Sequence, residues 1–220
     1  MAAAYLLRPS HTVIAAVRDP SSPQAQTLTS LSTGTSSSLI LVKIDSASES
    51  DARAAIDVLT SQHGIAHLDL VVANAGISNY FGAALVTPAD QVMEHYRVNV
   101  LGPLLLFQAT APFLLEAAGA GRWPKFVAIS SGAGSIDGVE RLRVENTAYG
   151  ASKAALNFVV RRIHVENEGI VAFPLNPGWL QTEVSLYGLL FGRVDLLNHH
   201  RIARKSCCDV VRDGCGADVG

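Results

Sequence analysis

Cysteine is missing from the first 206 of the 220 residues, and the three present, Cys207, Cys208 and Cys215, crowd into the last fourteen. That distribution excludes a disulfide framework for the body of the chain. With His199 and His200 these cysteines match no standard zinc spacing, so no metal is expected. Charge is also scarce, at 16% of residues with a net charge of −2, which removes any electrostatic basis for binding nucleic acid or an anionic membrane. The most apolar stretch, Val98 to Leu115, is interrupted by Asn99, Gly102, Pro103, Gln108 and Pro112. A spanning helix needs about 20 predominantly apolar residues, so none is expected. Met1 to Leu7 is apolar but short and has no basic residue before Arg8. It reads as the end of a helix, not a secretion signal, and a cytoplasmic protein is the expectation. Glycine, finally, is absent before Gly34.

What is present is a core-rich chain, 49% hydrophobic, of a length that suits one domain. Strand-like and helix-like segments alternate, the pattern of a parallel sheet with helices on both faces. Strands are predicted at Thr12–Val17, Ser38–Ile44, Leu68–Ala73, Lys125–Ser130 and Ile170–Leu175. Helices are predicted at Ser22–Leu31 (weak), Ser48–His63, Thr87–Ala118 with a kink at Pro103, and from Asn146 or Thr147 to about Glu168. The pattern breaks after Gly192, where His, Arg and Cys replace any clear periodicity. This divides the chain into a domain at 1–191 and an irregular tail at 192–220.

Tyr149 and Lys153 lie four residues apart on a predicted helix and so share one face. A phenol with a pKa near 10 is a poor acid–base group at neutral pH, and a nearby ammonium favours its ionised form. By itself the pair is weak evidence, since two unrelated surface residues would give the same spacing. Upstream, however, the strand starting at Lys125 ends in Ser130 and Ser131. This places hydroxyls at the carboxyl edge of the sheet, where open α/β sheets bind ligands. A hydroxyl there can stabilise charge developing on a carbonyl oxygen.

Taken in order, Asn74-Ala75-Gly76 after a strand, Asn99 in the long helix, Ser131, Tyr149-Gly150-Ala151-Ser152-Lys153, and Pro177-Gly178 with Thr182 resemble the short-chain dehydrogenases/reductases. The resemblance spans about Thr12 to Ser185, and within the family the texture is similar to fungal ketoreductases of the norsolorinic acid ketoreductase type. It implies a Rossmann-like doubly wound sheet and NADPH-dependent reduction of a ketone on a small organic or polyketide-like substrate. By that resemblance Tyr149 is the general acid, and Lys153 holds the nicotinamide ribose and lowers the tyrosine pKa. Ser131 polarises the carbonyl, and Asn99 binds a water linking Lys153 to solvent. Ser130 and Ser135 are alternatives for the serine, because the eighteen positions between Ser131 and Tyr149 exceed the family's usual spacing. Asp137 to Val144 would then form a charged loop beside the substrate.

The resemblance also assigns the cofactor NADP. Arg18 would pair with its 2′-phosphate, the plainer alternative being an ion pair with Asp19. Asp45 would meet the adenine, and Asn74, Ala75 and Gly76 the adenosine ribose. Pro177, Gly178, Leu180 and Thr182 would hold the carboxamide end. It further implies homodimers or tetramers through the two long helices. Against this stands the missing glycine-rich turn. Dinucleotide folds place pyrophosphate on a helix N-terminus after such a turn, and nothing ahead of Thr12 supplies it. The usual first strand, central in the order 3-2-1-4-5-6, and the last strand also lack counterparts. About four buried aliphatic side chains at roughly 1.5–3 kcal/mol each would be lost, comparable to a whole domain's stability of about 5–15 kcal/mol. Weak folding and poor NADPH binding are therefore expected of the chain as written. The alternative function is a non-catalytic remnant that pairs with a complete homologue.

Overall fold

A computed structural model describes residues 1–141 and 144–178. The chain opens with a short helix, α1 (Ala2–Leu6), whose Leu6 is fully buried. Strand β1 (Thr12–Val17) follows. Helix α2 (Pro23–Gln26) is capped by the Ser22 hydroxyl and continues as a 3₁₀ turn, Thr27–Ser30. The broken form of this helix fits its weak sequence signal, since Ser and Thr compete for the backbone bonds. Next come β2 (Ser38–Lys43), α3 (Asp51–His63) and β3 (Leu70–Ala73). Helices α4 (Ala89–Tyr96) and α5 (Gly102–Gly119) form one run joined by a π turn at Arg97–Leu101. The chain then passes through β4 (Lys125–Ile129), α6 (Thr147–Glu166) and β5 (Val171–Leu175).

Every strand pairing is parallel, as the alternation of strand and helix demands. The sheet is nevertheless in two parts: β1 pairs with β2, and separately β3-β4-β5 lie side by side. No described strand fills the position between β1 and β3, where the expected order places a first strand. In the larger part, Phe126, Ala128, Val71 and Ala172 form one cluster with Phe107 and Leu114 of α5 and Leu156, Val160 and Ile163 of α6. In the smaller part, Val42 packs on Ala55 and Leu59 of α3, the face that the 3.6-residue periodicity marks. Contact between α3 and α5 links the two parts.

Two expectations need correction. The predicted kink at Pro103 is a π turn just before it, in which the Gly102 amide reaches back to the Arg97 carbonyl. Pro103 has no N–H for the Asn99 carbonyl, and its ring would clash there, so the ladder widens upstream of the proline. The continuous run Ala89–Gly119 is also long and apolar enough to cross a membrane by length and composition, with a mean hydropathy of 1.6 over its best window. Its polar residues and prolines do not break it, and the helix continues through them. Its Phe107 and Leu114 are buried against the sheet. The Cys207–Cys215 cluster and the whole segment 192–220 lie outside the described residues.

Candidate active site

Because all strands run the same way, their carboxyl ends share one edge. There β3 leads into Asn74, Ala75 and Gly76, β4 into Ser130 and Ser131, and β5 into Asn176, Pro177 and Gly178. Asn74 to Gly76 are exposed along this edge. A Cβ built on Gly76 would come 3.1 Å from Asn99 Oδ1 and 3.4 Å from Lys153 Nζ, so this turn rests directly on both side chains. Gly178 adopts a φ of +74°, and its amide donates to Asn176 Oδ1 at 3.1 Å.

Helix α6 brings Tyr149 and Lys153 to that edge. Lys153 is only 4% exposed. Its ammonium donates to the Ile129 carbonyl at the end of β4 (2.8 Å) and lies 5.6 Å from the centre of the Tyr149 ring. Burial pulls the Lys153 pKa down to about 8. Burial also raises the Tyr149 pKa above its ordinary value, and the Ser131 hydroxyl opposes this as a weaker influence. The resemblance has Lys153 bring the tyrosine pKa down, but the net direction is upward, because desolvation dominates both groups. A phenol held in its protonated form suits the role of acid. Although Ser131 is close enough to act on Tyr149, no tight hydrogen bond joins the two hydroxyls among the described residues. The Ser131 oxygen accepts the Ala133 amide at 3.2 Å, leaving its hydrogen free to donate elsewhere.

Of the alternatives for the serine, the Ser130 hydroxyl is spent on Asn157 Oδ1 at 2.6 Å. Ser135 Oγ, like Ser131 Oγ, accepts a backbone amide and keeps its hydrogen, but it is Ser131 whose hydroxyl acts on Tyr149. Asn99 is fully buried, and both its amide hydrogens are engaged, one with the Ile77 carbonyl (3.0 Å) and one with Ser152 Oγ (2.9 Å); its Oδ1 accepts the Ile77 amide at 2.8 Å. The side chain is thus a clamp between the β3 turn and α6, and a water expected at Asn99 would have to sit on its backbone carbonyl. Neither Ser152, which passes the clamp on to the Tyr149 carbonyl at 2.7 Å, nor Asn157 was picked out from sequence. The signal for Asn157 was a polar residue four past Lys153 on an otherwise apolar helix face.

At the other end of the edge, Arg18 is exposed just past β1. Its alternative partner Asp19 is occupied by the amide (2.8 Å) and hydroxyl (2.6 Å) of Ser21, and no Arg18–Asp19 ion pair occurs among the described residues. Asp45, partly buried, accepts the Ala47 amide at 2.9 Å. Its own amide donates to Asp51 Oδ2 at 2.8 Å, and Asp51 also takes the Lys43 ammonium and the Ser48 hydroxyl. The Lys43 bond, then the Asp45 amide and the Ser48 hydroxyl, hold the Asp51 pKa down to about 2. A depressed carboxylate pKa adds stability that is complete above the ordinary value of 3.8 and is lost as pH falls toward 2. Asp51→Asn should accordingly lower the urea midpoint at neutral pH and flatten the acid limb of stability. Equal midpoints for the two proteins at neutral pH would refute that role. Leu180 and Thr182 lie outside the described residues, as do Leu142 and Arg143 in the loop after Ser131.

A parallel open sheet with a hydroxyl, a half-buried phenol and a buried ammonium converging on its carboxyl edge defines a nucleotide-dependent oxidoreductase site. The profile of the short chain dehydrogenase family matches residues 1–186, and the chain belongs to that family. It is 43% identical over 195 residues to norsolorinic acid ketoreductase nor1 of Dothistroma septosporum, covering 88% of this chain and 72% of that one. To the norsolorinic acid ketoreductase of Aspergillus parasiticus it is 39% identical over 192 residues, covering 86% and 69%. Among solved structures, the NADPH-bound carbonyl reductase from chicken fatty liver superposes with a TM-score of 0.69 at 30% identity, over 79% of this chain and 70% of that one. The chain is therefore a member of the short-chain dehydrogenase family with a Rossmann-like fold.

The residues present fit the nicotinamide half of a dinucleotide cofactor. The buried Lys153 ammonium has three hydrogens and one described protein acceptor, and Gly76 leaves the adjoining space free of side chain. Toward the pyrophosphate half, the described residues ahead of Thr12 hold no glycine turn, only α1 and its exit.

Proposed function

We propose that this chain reduces a ketone on a small, apolar, polyketide-like substrate to a secondary alcohol with NADPH, and that it does so in the cytoplasm. The convergence of Ser131, Tyr149 and Lys153 at the sheet edge carries this reading. The chemistry a reduced nicotinamide would supply, if held at this edge, is a hydride for the carbonyl carbon. Ser131 donates its free hydrogen to the carbonyl oxygen and steadies the charge that grows there. Tyr149 gives its phenolic proton to the same oxygen, completing the alcohol. Lys153, charged below about pH 8, holds the nicotinamide ribose and stabilises the phenolate left behind. Reprotonation runs from solvent through a water on the Asn99 backbone carbonyl, which Pro103 deprives of its usual helical N–H.

Two further observations support the finer points. Ile136, 83% exposed, and Val139, 59% exposed, stand on the segment after Ser131, an apolar rim suited to an apolar ketone. Arg18 stands exposed past a strand end with no carboxylate partner among the described residues, as a guanidinium that pairs with a 2′-phosphate would. Arg18→Ala should weaken NADPH binding by about tenfold or more, as for loss of a charge-assisted pair, while barely changing NADH. Quenching of Trp123 fluorescence by each nucleotide measures this, and equal losses for both would remove the phosphate role. The reading as a whole is tested by mixing the purified chain with NADPH and an aromatic ketone. Formation of the alcohol in step with NADPH loss is expected, and no turnover above buffer at any ketone concentration would sink it.

A further inference from the structure

Ser131 is held by neighbours on both sides, and one side chain reaches both of them. Asn157 lies on α6 one turn beyond Lys153 and two beyond Tyr149. Its Oδ1 accepts the Ser130 hydroxyl at 2.6 Å, and its Nδ2 donates to the Gly134 carbonyl at 3.3 Å. Residues 130 and 134 are the two ends of the strand-exit turn that presents Ser131. Close approach makes this bracing possible. A Cβ on Gly134 would come 2.6 Å from the Lys153 carbonyl carbon and 2.8 Å from the Ala154 nitrogen, so the turn lies against the helix backbone where only glycine fits. From the sheet side, the Ser130 amide donates to the Leu175 carbonyl at 2.8 Å, which fixes the start of the turn but not its far end.

We propose that Asn157 is a positioning residue for the carbonyl-polarising Ser131, acting through Ser130 and Gly134 to hold the serine turn on the helix that carries Tyr149 and Lys153. This rests on the functional reading above. The bracing matters because the serine and the phenol stand on different elements, a strand exit and a helix, and must meet one oxygen atom together. Without the amide, the Ser130 hydroxyl and the Gly134 carbonyl lose their shared partner, and the turn is free to shift against α6. A misplacement of about 1 Å at a reacting group costs about 100-fold in rate.

A double-mutant cycle separates this role from simple packing. Asn157→Leu keeps the number and branching of the side-chain heavy atoms and removes both bonds, and it should lower kcat by about 100-fold while the dissociation constant for NADPH is unchanged. In a Ser131→Ala background the same substitution should cost nothing further, because the serine it positions is gone. An equal fall in kcat in both backgrounds would show a merely structural role and overturn the proposal. If Ser131→Ala alone leaves turnover intact, the catalytic reading fails, a different outcome from additivity.

If Asn157→Leu does not fold, Ser130→Ala removes one arm of the brace. It should lower kcat by about tenfold, roughly half of that effect on a logarithmic scale, and again only when Ser131 is present. A readout free of turnover is the Tyr149 phenolate, followed by ultraviolet difference titration against Tyr149→Phe. Asn157→Leu should move this titration to higher pH, as Ser131→Ala does, by withdrawing the serine hydroxyl. A Tyr149 titration unmoved by Asn157→Leu but moved by Ser131→Ala would likewise overturn the proposal.

Discussion

Tyr149→Phe should lower turnover by about 10²–10⁴-fold, the range that a positioned general acid contributes, and leave nicotinamide binding within about twofold of the parent, since no measured binding energy passes through a lost proton donor. The ring remains, so its packing near His95, 6.5 Å between centroids, and over the Lys153 ammonium is preserved. Only the hydroxyl is lost. The loss should fall on kcat, because the proton is transferred only as the carbonyl oxygen acquires charge. Phenylalanine has no proton to give at any pH, so a pH shift within the neutral range should not restore the variant. Stopped-flow single turnovers with saturating NADPH are the measurement. A rate within about threefold of the parent, far inside the range for loss of a general acid, would exclude Tyr149 as the proton donor.

The second large effect concerns Lys153 and has a definite sign. The folded-state pKa of about 8 lies below the ordinary 10.5, because burial disfavours the charged form. Between these two values the unfolded chain keeps a proton that the folded chain has released, so stability rises with pH across that window. Activity runs the other way. The ammonium holds the ribose and stabilises the tyrosine oxygen, so kcat/KM should fall as pH rises through about 8. Because kcat/KM reports the free enzyme, the limb belongs to the ligand-free lysine. Lys153→Arg, with a guanidinium that stays charged, should remove the limb whatever its own rate, and Lys153→Met should cost about 10²–10³-fold in kcat, as for loss of a charge-stabilising donor. A flat profile from pH 6 to 9 in the parent enzyme would contradict this account. Rising stability between about pH 8 and 10.5, read from urea melts, would remain as the independent sign of a buried lysine.

Much of the architecture could be read from the residues in order. The strands Thr12–Val17 and Lys125–Ile129 start and end within a residue of their expected limits, because short apolar runs bounded by Asp, Pro, Ser or Gly permit little else. The α3 face made by Ala52, Ala55, Ile56 and Leu59 is the face that packs. Helix boundaries were less legible: Glu166, not Glu168, ends α6, and the π turn before Pro103 depends on how that run packs. In the site, the candidates Ser131, Tyr149 and Lys153 converge as motif order implied. The choice among Ser130, Ser131 and Ser135 could not be made by spacing, since it depends on which hydroxyl Asn157 takes and which one reaches Tyr149.

By itself the sequence determined which residue types alternate, which helix carries a phenol and an ammonium one turn apart, and which strand ends in hydroxyls. These are local matters, set by periodicity and by a few neighbours along the chain. Only the tertiary structure decided that burial, not the lysine, governs the tyrosine pKa, that the Asn99 side chain clamps a turn, and that Asn157 braces the serine. The reason is that desolvation and hydrogen-bond occupancy depend on groups brought together across 22 to 53 positions of sequence. No local pattern encodes which of two equivalent hydroxyls will be taken when those groups meet.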